Sequence, residues 1–178
     1  MKTGFVVYYL MSKLYYGGSL MFNVGDRIVY PMHGAGVIEG IEQRDVSGSP
    51  EDYYIIKLTS GEMKVMIPVC NKDLVGLREI ISKDEVDKVL EVLRNKDMDM
   101  STNWNRRYRA NMEKIKSGNI YDVAEVVSGL SQRDREKGLS TGEKKMLENA
   151  KNILYSELAL VEDLDEEQVQ SMVEDCLN

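Results

Sequence analysis

Trp104, Arg106, Arg107, Tyr108 and Arg109 fall within six consecutive positions, and Trp104 is the only tryptophan in the chain. Guanidinium groups pair with phosphate oxygens and a flat ring wedges against or between bases, so this spacing suits contact with nucleic acid. At 100° per residue, Trp104, Tyr108, Met112 and Ile115 share one helical face, and such a stripe usually belongs to a core. With Asn103 or Asn105 as the helix cap, however, Trp104 sits at or before the first turn and projects from the edge of its unit. Arg106, Arg109 and Lys116 then share the opposite face, flanked by Arg107 and Lys114. A helix start beside arginines is also a seat for phosphate. Packed and exposed placements of Trp104 both remain open on the wheel.

No other residues make a catalytic pattern. The single histidine, His33, lies in a glycine-containing turn with no carboxylate or nucleophile at triad spacing. Gly138-Leu139-Ser140-Thr141-Gly142-Glu143-Lys144-Lys145 departs from a phosphate loop, because its second glycine comes one position early, Glu143 precedes Lys144, and no strand leads into it. A helix cap explains it. The acidic clusters near the C-terminus lack the alternating oxygen ligands and the glycine of a calcium loop. Cys70 and Cys176 have no metal-site spacing and suggest two buried or idle thiols in a reducing cytosol. A non-enzymatic protein with no cofactor, metal or small-molecule substrate is therefore expected.

Charge separates along the chain although its net value is −7. Residues 1–20 carry +2, residues 21–103 carry −5, residues 104–151 carry +4 and residues 152–178 carry −8. The tryptophan segment opens the main basic region, so phosphate binding would be local and modest. No apolar run reaches the roughly 18 residues of a membrane span, and no membrane contact is expected. Residues 2–11 are apolar like a short signal core, but carry one basic residue and no convincing cleavage pattern. Residues 1–21 read as an extension peripheral to the fold.

From Phe22 to about Ile81 the period is two, with turns at residues 31–36, 45–52 and 60–62. Five or so short strands in that length suggest a small SH3-like or Tudor-like β-barrel over residues 22–80. Beyond Ile81 the period becomes 3.6. Capping boxes start helices after Ser82 and Ser140, Asp165 caps a last one, and Gly118 and Gly138 stop two others. Residues 81–178 thus read as an all-helical bundle: a helix and connector over 81–103, basic helices over 104–151 and an acidic end over 152–178. The fold class expected is α+β in two domains.

The order Val24-Gly25-Asp26, Val29-Tyr30-Pro31, His33-Gly34, Ile38-Glu39, Gly76-Leu77-Arg78, Asn103-Trp104-Asn105-Arg106-Arg107-Tyr108, Gly138-Leu139-Ser140 and Gly142-Glu143-Lys144 closely resembles the CarD/CdnL family of bacterial RNA polymerase-binding transcription regulators. The resemblance spans residues 21–178. It implies a Tudor-like N-terminal domain, shared with transcription-repair coupling factor, that docks on the protrusion lobe of the polymerase β subunit. It implies a helical domain contacting promoter DNA near the −10 element, with a tryptophan wedged into the minor groove at the upstream edge of the bubble. By position Trp104 is that wedge, Arg106 and Arg109 match basic residues near the DNA backbone, and Lys144 and Lys145 match a basic cap region. Arg44 matches a position facing the β subunit. Met66 stands where arginine is common, which suggests a more apolar polymerase interface. A cytoplasmic location, on the nucleoid through the polymerase, follows from the resemblance. The rival expectation is a protein-interaction adaptor whose helical unit touches no DNA and buries Trp104.

Overall fold

Residues 15–16, 19–45, 48–59, 61, 63–95 and 101–178 are described by the computed structural model. A two-residue pair, β1 (Tyr15–Tyr16) with β2 (Ser19–Leu20), precedes the main sheet. Residues 1–14 and 17–18 of the expected extension lie outside the described residues, as do residues 96–100 of the connector, whereas Met21, expected to be peripheral, packs against the sheet core.

The main sheet follows from alternation. In β5 (Pro50–Leu58), Tyr54, Ile56 and Leu58 are buried while Tyr53, Ile55 and Lys57 are not, so one face of the strand turns inward. Around it run β3 (Arg27–Tyr30), β4 (Gly34–Asp45), β6 (Lys64–Pro68) and β7 (Arg78–Glu79), in the order β6-β5-β4-β3-β7, every neighbour antiparallel. Phe22, Ile28, Ile38, Tyr54, Ile56 and Ile67 form its core. A bulge between Ile38 and Gly40 shifts the β4–β5 register. The polar loop expected over residues 45–52 is shorter than that, because Gln43, Arg44 and Asp45 pair with Asp52, Glu51 and Pro50. Gly48, with φ of 86°, turns the chain, and its N–H donates to Asp45 Oδ1 at 2.8 Å.

The expected barrel is corrected to an open sheet. β6 and β7 are its two ends and are not neighbours. β7 has only two residues, too few to close the sheet.

Among the described residues five helices follow. They are α1 (Lys83–Arg94), α2 (Trp104–Ser117), α3 (Ile120–Lys137), α4 (Thr141–Glu162) and α5 (Glu166–Leu177). The sequence caps act where they were expected. Ser82, Ser140 and Asp165 each complete a capping box, and Gly118 closes α2 in the left-handed conformation. Val89, Leu93, Val126, Leu130, Leu154 and Leu158 lie at the centre of the helical core. The molecule is thus mixed α+β, sheet first and helices second, with a separate hydrophobic cluster in each part.

The long helix α4 packs against β4 and joins the two parts. Ser156 Oγ accepts from Ala35 N at 2.8 Å, and a Cβ on Gly34 would fall 2.6 Å from that oxygen. Met32, in the β3–β4 turn at φ of 71°, packs against the helical core.

Candidate nucleic-acid interface

Asn103 starts α2. Its Oδ1 accepts from Arg106 N at 3.0 Å, which makes Trp104 the first helical residue. At that place the side chain stands 43% exposed, while Tyr108 and Met112 are half-buried and Ile115 is buried. The apolar stripe therefore sinks into the core along the helix and surfaces at its start. Trp104 and Tyr108 stack with centroids 5.2 Å apart and planes at 26°. Both rings lie over the first turn of α4, 3.8 Å from where a Cβ on Gly142 would stand.

The indole is also held by its polar atom. Trp104 Nε1 donates to Ser140 Oγ at 3.1 Å, and that hydroxyl donates to Glu143 Oε2 at 2.8 Å. The other oxygen of Glu143 accepts from Arg107 Nε at 2.8 Å and Nη2 at 2.6 Å. Arg107 Nη1 donates to the Ser101 carbonyl at 2.7 Å. Burial alone would raise the Glu143 carboxyl, but the Arg107 guanidinium and the two bonds from Ser140 outweigh it and hold the carboxyl below its ordinary value. Arg107, Glu143 and Ser140 thus brace the ring from behind.

This corrects the placement of Arg107. Beside Trp104 in sequence it reads as a flanking surface cation, yet it is 3% exposed and fully engaged. The wheel carried a signal, since Arg107 lies four and eight positions before Asn111 and Ile115, both buried. Ser140 and Glu143 were legible as a cap, and nothing in their spacing pointed to the indole or to Arg107. The remaining cations do lie outward. Arg106, Arg109, Lys144 and Lys145 are all exposed, and Lys145 lines a cleft of about 220 Å³ with Tyr108, Met112 and Asn149.

A second surface lies on the sheet. Among the described residues β6 pairs only with β5, so its far side is an open edge, and Met66, opposite Ile55, is 46% exposed on it. Arg44 is exposed at the far end of β4, opposite Glu51, and its guanidinium meets Glu42 at 2.5 Å. Ile41 and Met63 add exposed apolar area. Trp104 and its cations are thus carried by the helices, whereas Arg44 and Met66 are carried by the sheet. His33 is exposed and stacks on Tyr30 with centroids 4.4 Å apart. Cys70 and Cys176 are both free, and only Cys176 is buried, Cys70 being exposed. Among the described residues no three His, Cys, Asp or Glu side chains are grouped to hold a metal, and no helix is long and apolar enough to cross a membrane.

Known proteins match both parts. Residues 22–81 match the family described as CarD-like/TRCF RID domain, and residues 88–174 match CarD, C-terminal domain. YdeB of Bacillus subtilis (strain 168), named as a transcription factor, is 38% identical over 151 residues, covering 85% of this chain and 99% of that protein. CdnLNt from Myxococcus xanthus is 42% identical at a TM-score of 0.31, over 35% of this chain and 87% of that structure. The chain belongs to the CarD family of transcription regulators.

Proposed function

We propose that this protein is a non-enzymatic regulator that docks on the β subunit of RNA polymerase and stabilises the open promoter complex with Trp104. The open edge of β6 supports docking on the protrusion lobe, because a strand added there gains main-chain hydrogen bonds while neighbouring side chains select the partner. Met66 makes that contact apolar, and Arg44, on β4 with β5 between it and that edge, adds a charge at the far end of the sheet. Trp104 enters the minor groove at the upstream edge of the bubble near the −10 element. Arg106, Arg109, Lys144 and Lys145 lie along the backbone around it.

The observation that carries this reading is an exposed tryptophan held in one orientation by Ser140 and Tyr108. A ring filling the distorted groove must leave before the strands reanneal. Unstacking a base step costs about a few kcal/mol, so one wedge with phosphate contacts is large enough to change bubble lifetime. Tethering to polymerase raises the local concentration and makes a weak DNA contact useful.

The test follows promoter opening by polymerase with the parent protein and with Trp104→Ala and Arg44→Glu. Trp104→Ala should fold normally, bind polymerase and shorten the bubble's lifetime, and Arg44→Glu should weaken binding. A folded Trp104→Ala variant that stabilises the bubble like the parent overturns the wedge. Unchanged polymerase binding by Arg44→Glu overturns the docking face. Tryptophan fluorescence adds a simpler check, since an exposed ring emits to the red and is open to quencher.

A further inference from the structure

Two buried carboxylates lie on α4, at Glu143 and Glu157. Fourteen positions separate them, nearly four turns, so they lie close to one face of the helix and about 21 Å apart along its axis. Each receives an arginine from a different part of the molecule. Glu143 takes Arg107 of α2, the helix that carries Trp104. Glu157 takes Arg78 of β7, with Nη1 donating to Oε1 at 2.6 Å and Nη2 to Oε2 at 2.8 Å. The fork-on-fork geometry fixes direction as well as distance, which a single lysine contact would not do.

The second joint is reinforced on every side. Arg78 Nε donates to the Gly118 carbonyl at 2.7 Å, in the turn that ends α2, and Ile81 N donates to Glu157 Oε1 at 3.1 Å. Gly118 meets Pro31 of the β3–β4 turn so closely that a Cβ there would lie 2.8 Å from the proline ring. One turn further along α4, Arg27 donates to the Leu160 carbonyl and pairs with Asp163 at 2.8 Å. Ser156 binds Ala35 beside them. The sheet is thereby held to the C-terminal half of the same helix whose N-terminal turn braces the tryptophan.

We infer that α4 is a rigid spacer that sets where Trp104 stands relative to the β6 edge, with Arg78 and Glu157 as its positioning residues. This rests on the proposed function, in which the edge is anchored and the ring must reach the fork. Two sites tethered to fixed partners act together only when the link between them spans the required distance, and a wandering link loses the advantage. Neither Arg78 nor Glu157 touches polymerase or DNA in this scheme. Their effect is geometric.

The experiment separates geometry from folding. In full-length protein with Cys70→Ser and Cys176→Ala, spin labels at Gln43→Cys and Glu113→Cys, both exposed in the parent, report the distance between sheet and α2 without polymerase present. The double variant Arg78→Met with Glu157→Met removes the pair without leaving one charge buried, and Arg78→Lys keeps the charge but loses the fork. The parent should give one narrow distance distribution, and both variants a broader one. Unlabelled, both should bind polymerase with parental affinity and show parental tryptophan emission, while the gain in open-complex lifetime falls roughly tenfold. A distribution as narrow as the parent's in both variants overturns the inference. So does a broadened distribution with parental lifetime. Failure of the wedge itself is read separately, from a parental lifetime with Trp104→Ala.

Discussion

Glu143 shows why the candidate site is more than a ring and some cations. With side chains of 2% and 3% exposure, the Arg107–Glu143 pair has almost no water to fall back on. Arg107→Met alone should therefore cost about 3 kcal/mol, because it leaves the buried carboxylate with Ser140 and a long ion pair to Arg133 at 3.8 Å, whereas Arg107→Met with Glu143→Met should cost less. Urea unfolding of the single and double variants measures both. The pair also sets a pH response. Glu143 holds its proton less readily in the folded chain than in the unfolded one, so its contribution is complete above the ordinary carboxylate value of 4.5 and is lost as pH falls below it. At the alkaline end Tyr155, pushed up to about 12 by burial and by the Glu174 charge, works in the opposite sense. Its contribution is present below 10 and fades as pH rises towards 12. Unfolding followed across pH should show both limbs, and Glu143→Gln should flatten the acid one. The sequence showed Trp104, Arg106 and Arg109 as a set because their types are unusual in an acidic chain. It hid Arg107 among them, since a buried arginine and a surface arginine are spelled alike and only a partner 36 residues away tells them apart.

Elements were more legible than contacts. Capping residues act through bonds to their own helix, so Ser82, Ser140, Asp165 and Gly118 could be recognised without knowing the fold. Strand ends were less clear. The β4–β5 pair runs on through Asp45 and Pro50 because cross-strand pairing, rather than local polarity, decides where a hairpin turns. Closure of the sheet was not legible either, as it depends on which strands become edges. Met32 is a sharper case, since glycine is the residue expected at a positive φ and a methionine takes it here to reach the helical core. Gly118 combines two demands, a φ of 70° and close contact with Pro31. Gly118→Ala should lower stability by about 1–3 kcal/mol, read as a lower thermal midpoint, and Gly48→Ala, with open space around it, should lower it less.

Across the whole molecule, charge is distributed unevenly. Four outward cations near Trp104, namely Arg106, Arg109, Lys144 and Lys145, face an acidic remainder. If each meets one phosphate, DNA affinity of the protein alone should fall with salt at a logarithmic slope of roughly −3 to −4, and replacing any one by alanine should reduce the slope by about one unit. Titration of a forked duplex at several salt concentrations gives both numbers. Replacing Lys116, which is exposed at the far end of α2, should leave the slope unchanged. The bond from the Trp104 indole to Ser140 has a further result. The ring's one donor is already satisfied inside the protein, so in the proposed wedge leaving water for a groove strands no polar atom and entering it requires no matching acceptor on a base. Adhesion then comes from shape and dispersion alone. Such a contact is indifferent to the base pair it meets, and it has no directional bond to break when the polymerase moves on.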